Sequence, residues 1–97
     1  MVFVVKTTTA AHRIIKKYTP KLKEEILKHC EVIANNPYTS LNLESPFNYI
    51  KSYHFSYAGT DYRIAYEIDE KNKQIIVHLV APRENFYKRL RRTLFFF

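Results

Sequence analysis

At 97 residues with a single cysteine, the chain has room for one hydrophobic core and no intrachain disulfide, which sets aside multidomain and disulfide-stapled classes. A formal charge of +7, 46% hydrophobic and 15% aromatic residues, and one glycine beside four prolines describe a basic, ordered domain rather than a low-complexity linker. No apolar run nears the ~20 residues of a membrane span, and the apolar start at residues 1–5 is too short for a secretory signal, so a single cytoplasmic domain over residues 1–97 is expected.

Residues 2–6 are a short β-rich run and the first expected strand. Thr7, Thr8 and Thr9 then offer capping hydroxyls, and Ala11, Ile14, Ile15 and Tyr18 repeat at helical spacing. Thr19-Pro20 ends that helix and starts a second, with Thr19 as cap and Pro20 in the first turn. Leu22, Ile26, Cys30, Ile33 and Ala34 line one face of it, so Cys30 reads as a small buried hydrophobe. Asn35-Asn36-Pro37 stops it, and the two helices form an antiparallel hairpin.

The connection over residues 38–48 carries Leu41, Leu43, Pro46 and Phe47, and is expected to lie pinned against the core. From Tyr49 the period becomes two. Tyr53, Phe55 and Tyr57 alternate with Ser52, His54 and Ser56. After Ala58-Gly59-Thr60, Tyr62, Ile64, Tyr66 and Ile68 alternate with Arg63, Ala65 and Glu67. Residues 69–73 make a polar turn, and residues 74–81 supply a third strand with Ile75, Val77 and Leu79 expected on one side. Beyond Pro82, Phe86, Leu90 and Leu94 mark a short basic amphipathic helix. The expected fold is α+β, in the order β-α-α-β-β-β-α. An antiparallel sheet packs on an N-terminal helical hairpin, which leaves the Ser52/His54/Ser56 and Arg63/Glu67 face open.

That face carries the candidate chemistry. Arg63, mid-strand, can meet phosphate oxygens with a rigidly held guanidinium, and Arg83 at the end of the third strand can flank the same phosphate. His54, between two serines, titrates near neutrality and suits proton transfer. Tyr87, one step after Phe86, is expected at the surface as a stacking platform or an activated phenol. From Arg83 to Arg92 five basic residues stand against one acid, Glu84, so this segment holds +4 of the +7. Its concentration points to a polyanion or an acidic chain as partner. Lys51, Ser56, Lys88, Arg89, Arg91 and Arg92 are the expected RNA-guiding residues. His12, His29 and His78 are expected to pack or to be solvated. No Cys/His cluster at metal spacing and no glycine-rich phosphate loop occurs, so neither a metal nor a cofactor is expected.

The segment YHFSYAGTDYRIAYEIDEKNKQIIVHLVAPRENFY, preceded by a helical hairpin ending in ANNP, resembles the RelE/ParE superfamily of toxin–antitoxin toxins. The resemblance spans nearly the whole chain and implies one of two activities. RelE-like members enter the ribosomal A site and cut mRNA without metal, through attack of the 2′-hydroxyl on the adjacent phosphate. ParE-like members poison DNA gyrase and are not nucleases. Either type is neutralised by a cognate antitoxin.

By that resemblance Arg63 matches the arginine that steadies the phosphorane, and Arg83 the arginine assigned to leaving-group or phosphate contact. Tyr87 matches the terminal-helix tyrosine that stacks on or activates the nucleotide, at a shorter spacing from Arg83 than in the founding RelE toxin. Where founding RelE shows two lysines, this chain has His54 and Ser56, with Lys51 three residues before His54. The expectation is a ribosome-dependent mRNA endoribonuclease, with His54 or Tyr87 as base. The alternatives are a gyrase poison, or an inactive paralogue that only binds antitoxin or nucleic acid. The tail, residues 94–97, is expected to seal the core edge or dock on the partner.

Overall fold

Side-chain caps set the starts of the first two helices. The computed structural model describes residues 2–95 and opens with β1 (Val4–Thr7) followed by α1 (Thr9–Lys16). Thr8 Oγ1 accepts the Ala11 N–H at 3.1 Å, satisfying a donor the helix cannot pair internally. α2 (Pro20–Asn35) repeats the device, with Thr19 Oγ1 accepting from the Leu22 N–H at 3.3 Å and Pro20 in its first turn. β2 (Leu41–Asn42), β3 (Lys51–Tyr57), β4 (Thr60–Asp69), β5 (Gln74–Pro82) and α3 (Phe86–Phe95) complete the chain. The α+β class, the helical hairpin, the meander and the closing helix are as the sequence predicts.

The strands form one sheet in the order β1-β5-β4-β3-β2. Neighbours from β2 to β5 run antiparallel, whereas β1 pairs parallel with β5, so the sheet is mixed. The helical excursion after β1 can return the chain in either direction, and hydrophobic pattern does not specify which. The pinned connection needs amendment too. Leu43 and Phe47 are buried, but Pro46 is exposed and Leu41 is 82% exposed on β2, where it pairs with Ser52. A two-residue strand is too short for alternation to reveal.

Two apolar layers sandwich the sheet. On one side, Leu22, Ile26, Cys30 and Ile33 of α2 and Ala11 of α1 meet Phe55, Ile64, Tyr66, Ile75, Val77 and Val80. Tyr66 is fully buried, and its hydroxyl donates to the Pro37 carbonyl at 2.7 Å, so no polar atom is stranded there. On the other side, Phe86 and Leu90 of α3 join Leu43, Phe47, Ile50, Ala65, Leu79 and Ala81. The expected open face is therefore half covered. Ala65, Leu79 and Ala81 form an apolar floor that receives the α3 stripe, and the region around His54 stays exposed.

A bulge explains a second correction. Ala65 pairs with Leu79 but Tyr66 pairs with Val77, so His78 is an extra residue on β5. Ile75 and Val77 point to the α1/α2 side while Leu79 points to α3, rather than all three sharing a side. Of the tail, Leu94 packs on the α3-side core and the Phe95 ring stacks on Phe47 at 5.8 Å, while Phe96 and Phe97 lie outside the described residues. Among the described residues no helix is long and apolar enough to cross a membrane.

Candidate functional site

The β3–β4 hairpin brings the imidazole to the guanidinium. Its two-residue turn, Ala58 at φ 50° and Gly59 at φ 78°, joins Tyr57 to its partner Thr60. Counting back along that register puts His54 opposite Arg63 and Ser56 opposite Asp61. Arg83 arrives from the end of β5, and its backbone N–H donates to the Asp61 carbonyl at 2.8 Å, which anchors it beside β4. A cleft of about 430 Å³ results, lined by His54, Ser56, Asp61, Arg63 and Arg83 among others. A second cleft of similar size, about 430 Å³, shares His54 and Arg63 and adds Asn42, Ser52 and Tyr87. His54 and Arg63 thus form the wall between a two-arginine side and a tyrosine side.

The electrostatics of this wall favour a neutral imidazole. Partial burial lowers the His54 pKa from its ordinary value near 6.5, and the charges of Arg63 and Arg83 lower it further, against a weaker opposing pull from Asp61. Arg63 lies over the Phe86 ring, 5.9 Å from its centroid, and its Nε is sealed from solvent without an acceptor. Among the described residues no carboxylate pairs with Arg63 or Arg83. Two unneutralised cations beside a neutral base can bind an anionic oxygen and accept a proton next to it.

The remaining candidates divide by position. Ser56 donates its hydroxyl to Asp61 at 2.8 Å on the cleft rim. Tyr87 is 44% exposed and stands beside Phe47, with ring centroids 6.3 Å apart. Lys88, Arg91 and Arg92 are exposed on α3, but Arg89 is half-buried against Tyr18. Burial holds the Tyr18 pKa above its ordinary value, and the Arg89 charge only partly offsets this. Lys51 is not brought to the cleft. Strand alternation turns it away from Ser52 and His54, and its Nζ donates to the Ser40 carbonyl at 3.0 Å and to Asn42 Oδ1 at 2.8 Å.

Of the other histidines, His12 is exposed and two are engaged elsewhere. His29 stacks on Phe55 at 4.5 Å and its Nδ1 meets the Tyr53 hydroxyl at 2.6 Å, and His78 Nε2 meets Glu67 at 2.7 Å. Among the described residues no three His, Cys, Asp or Glu side chains gather closely enough to hold a metal ion. Asp61, Ser52 and Phe86 are site residues that sequence reasoning passed over. The signal for Asp61 was present, because a two-residue turn after Tyr57 makes it the cross-strand partner of Ser56. Phe86 under Arg63 had no sequence signal, since it depends on how α3 docks.

Fold and cleft together define a small α+β domain with a basic cleft, and comparison with known proteins gives its family. A family model described as the ParE-like toxin of type II bacterial toxin-antitoxin systems matches residues 4–91, and the chain belongs to that family. No curated protein sequence matches significantly. Among solved structures, an Escherichia coli RelE double-mutant toxin in the free state superposes with a TM-score of 0.77 at 14% identity, covering 97% of this chain and 99% of that one. The toxin–antitoxin complex RelBE2 of Mycobacterium tuberculosis gives 0.71 at 22% identity, over 86% of this chain and 100% of that one. The archaeal RelE–RelB complex of Pyrococcus horikoshii gives 0.61 at 18%, over 87% and 98%. These likenesses establish a RelE-like fold.

Proposed function

We propose that this toxin is a ribosome-dependent, metal-independent mRNA endoribonuclease, acting in the cytoplasm and held in check by a cognate antitoxin. The observation that supports it is the juxtaposition of His54 and Arg63 across one strand pair, with Arg83 in the same cleft and, among the described residues, no carboxylate on either guanidinium. His54 takes the proton of the 2′-hydroxyl, whose oxygen attacks phosphorus. Negative charge builds on the phosphorane oxygens, where Arg63 and Arg83 hold it. The bond to the 5′ oxygen then breaks, that oxygen takes a proton from solvent, and a 2′,3′-cyclic phosphate remains. Tyr87 stacks on a base across the wall, and a phenol there is the alternative base.

The test is cleavage of a defined mRNA on translating ribosomes. Codon-phased cuts with cyclic-phosphate ends are expected. Arg63→Ala and Arg83→Ala should each lower the rate by roughly 10²-fold or more while leaving the fold intact. The family description as ParE-like favours a second reading, a gyrase poison in which both arginines are structural. Intact message together with trapped gyrase–DNA complexes would select it. Intact message without trapping, and with antitoxin still bound, would mark an inactive paralogue.

A further inference from the structure

Helix α3 carries a feature that the cleft does not use. Tyr87, Arg91 and Phe95 follow one another at four-residue spacing, so they form a row along one flank of the helix. Tyr87 is 44% exposed, Phe95 is 50% exposed and Arg91 is exposed between them. The Phe47 ring braces the row from beneath, stacked on Phe95 at 5.8 Å and tilted against Tyr87 at 6.3 Å. Lys88 and Arg92 make the next row outward, and residues 86–95 contain no acid. The row begins in the cleft wall, because Tyr87 lines the same cavity as His54 and Arg63.

Resting on the ribonuclease reading above, we infer that this row is the track of the single-stranded RNA leaving the cleft, with Phe95 as a second base-stacking platform beyond Tyr87. The two aromatic faces offer sequence-tolerant stacking, and Arg91 lies where the backbone between stacked bases passes. From Tyr87 to Phe95 the helix rises roughly 12 Å, the reach of about three to four stacked nucleotides. An acidic protein could exploit the cations, but braced, half-exposed rings interleaved with guanidinium suit nucleobases better. Arg89 takes no part, since it faces Tyr18 on the other flank.

Isotope-labelled protein titrated with 2′-O-methyl RNA, which it cannot cleave, tests the track. A hexanucleotide should shift the amides of Arg91 and Phe95 as well as those of His54 and Arg63, whereas a trinucleotide should shift only the latter pair. Phe95→Ala and Arg91→Gln should each weaken hexanucleotide binding about fivefold and leave trinucleotide binding unchanged, and Arg91→Gln should also leave thermal unfolding unchanged. Arg91→Gln alters an exposed side chain, so it remains informative if the Phe95 variant unfolds. Hexanucleotide shifts confined to the cleft, or unchanged affinity in both variants, would overturn the track and leave the ribonuclease reading standing. Silence at His54 and Arg63 with either RNA would overturn the track, and cleavage of mRNA on ribosomes would decide the ribonuclease reading separately. Shifts along the row on adding antitoxin but not RNA would make it a protein surface instead.

Discussion

At the scale of single residues, the proposed cleavage turns on how one imidazole is tuned. Burial and then the two guanidiniums lower the His54 pKa below 6.5, so it is uncharged at neutral pH and ready to accept a proton. The acidic limb of the cleavage profile should therefore fall below pH ~6.5, and Arg83→Gln should move it upward by removing one of the lowering charges. An unmoved limb would mean that His54 is not the group observed. Linkage carries the same sign into stability. The unfolded chain binds this proton first, so the His54 contribution is intact above the unfolded value and is lost as pH falls through the depressed folded one. Urea unfolding of the wild type and His54→Gln over that window reads it directly.

At the scale of elements, turn and cap chemistry set how firmly the site is held. The β3–β4 turn places Ala58 at a φ of 50°, a conformation that costs alanine more than glycine, which has no Cβ, or asparagine, whose side chain hydrogen-bonds locally. Ala58→Asn should stabilise the domain by about 0.5–1 kcal/mol and leave the His54–Arg63 register untouched, as urea titration and the cleavage rate would show. Thr19→Ala removes the oxygen that accepts from Leu22 and should cost about 1 kcal/mol, again without loss of catalysis per folded molecule. Because α2 lies on the far side of the sheet from the cleft, a drop in rate per folded molecule would contradict this separation of roles.

At the scale of the whole molecule, charge governs encounter. Of the +7, a net +4 lies between Arg83 and Arg92, next to the cleft, and residues 1–35 carry another net +4 on the side of the α1/α2 core. RNA affinity should fall linearly with the logarithm of salt, with a slope near −0.7 for each phosphate neutralised on a single strand. Replacing both Arg91 and Arg92 with glutamine should flatten that slope by about one unit or more. A salt-independent affinity would place binding somewhere other than the basic helix.

Local pattern was enough to read most elements: threonine caps before α1 and α2, the switch to period two at Tyr49, the turn at Ala58-Gly59 and the stripe of α3. Cys30 is buried as its place in an apolar stripe implied, and burial pushes its thiol up to about 11. Hairpin register also made the His54–Arg63 pairing legible, since a tight turn leaves no freedom in which residues face each other. Three things lay beyond that reach because each depends on contacts distant in sequence. The parallel docking of β1 on β5 closes through two helices. The bulge at His78 inserts one residue that alternation cannot count. The packing of α3 onto Ala65, Leu79 and Ala81 slides Phe86 beneath Arg63 and sets Tyr87 at the mouth of the cleft. Sequence determined which groups could do chemistry, and tertiary packing decided which of them stand together, because only the docked helix and the sheet edges fix distances across the chain.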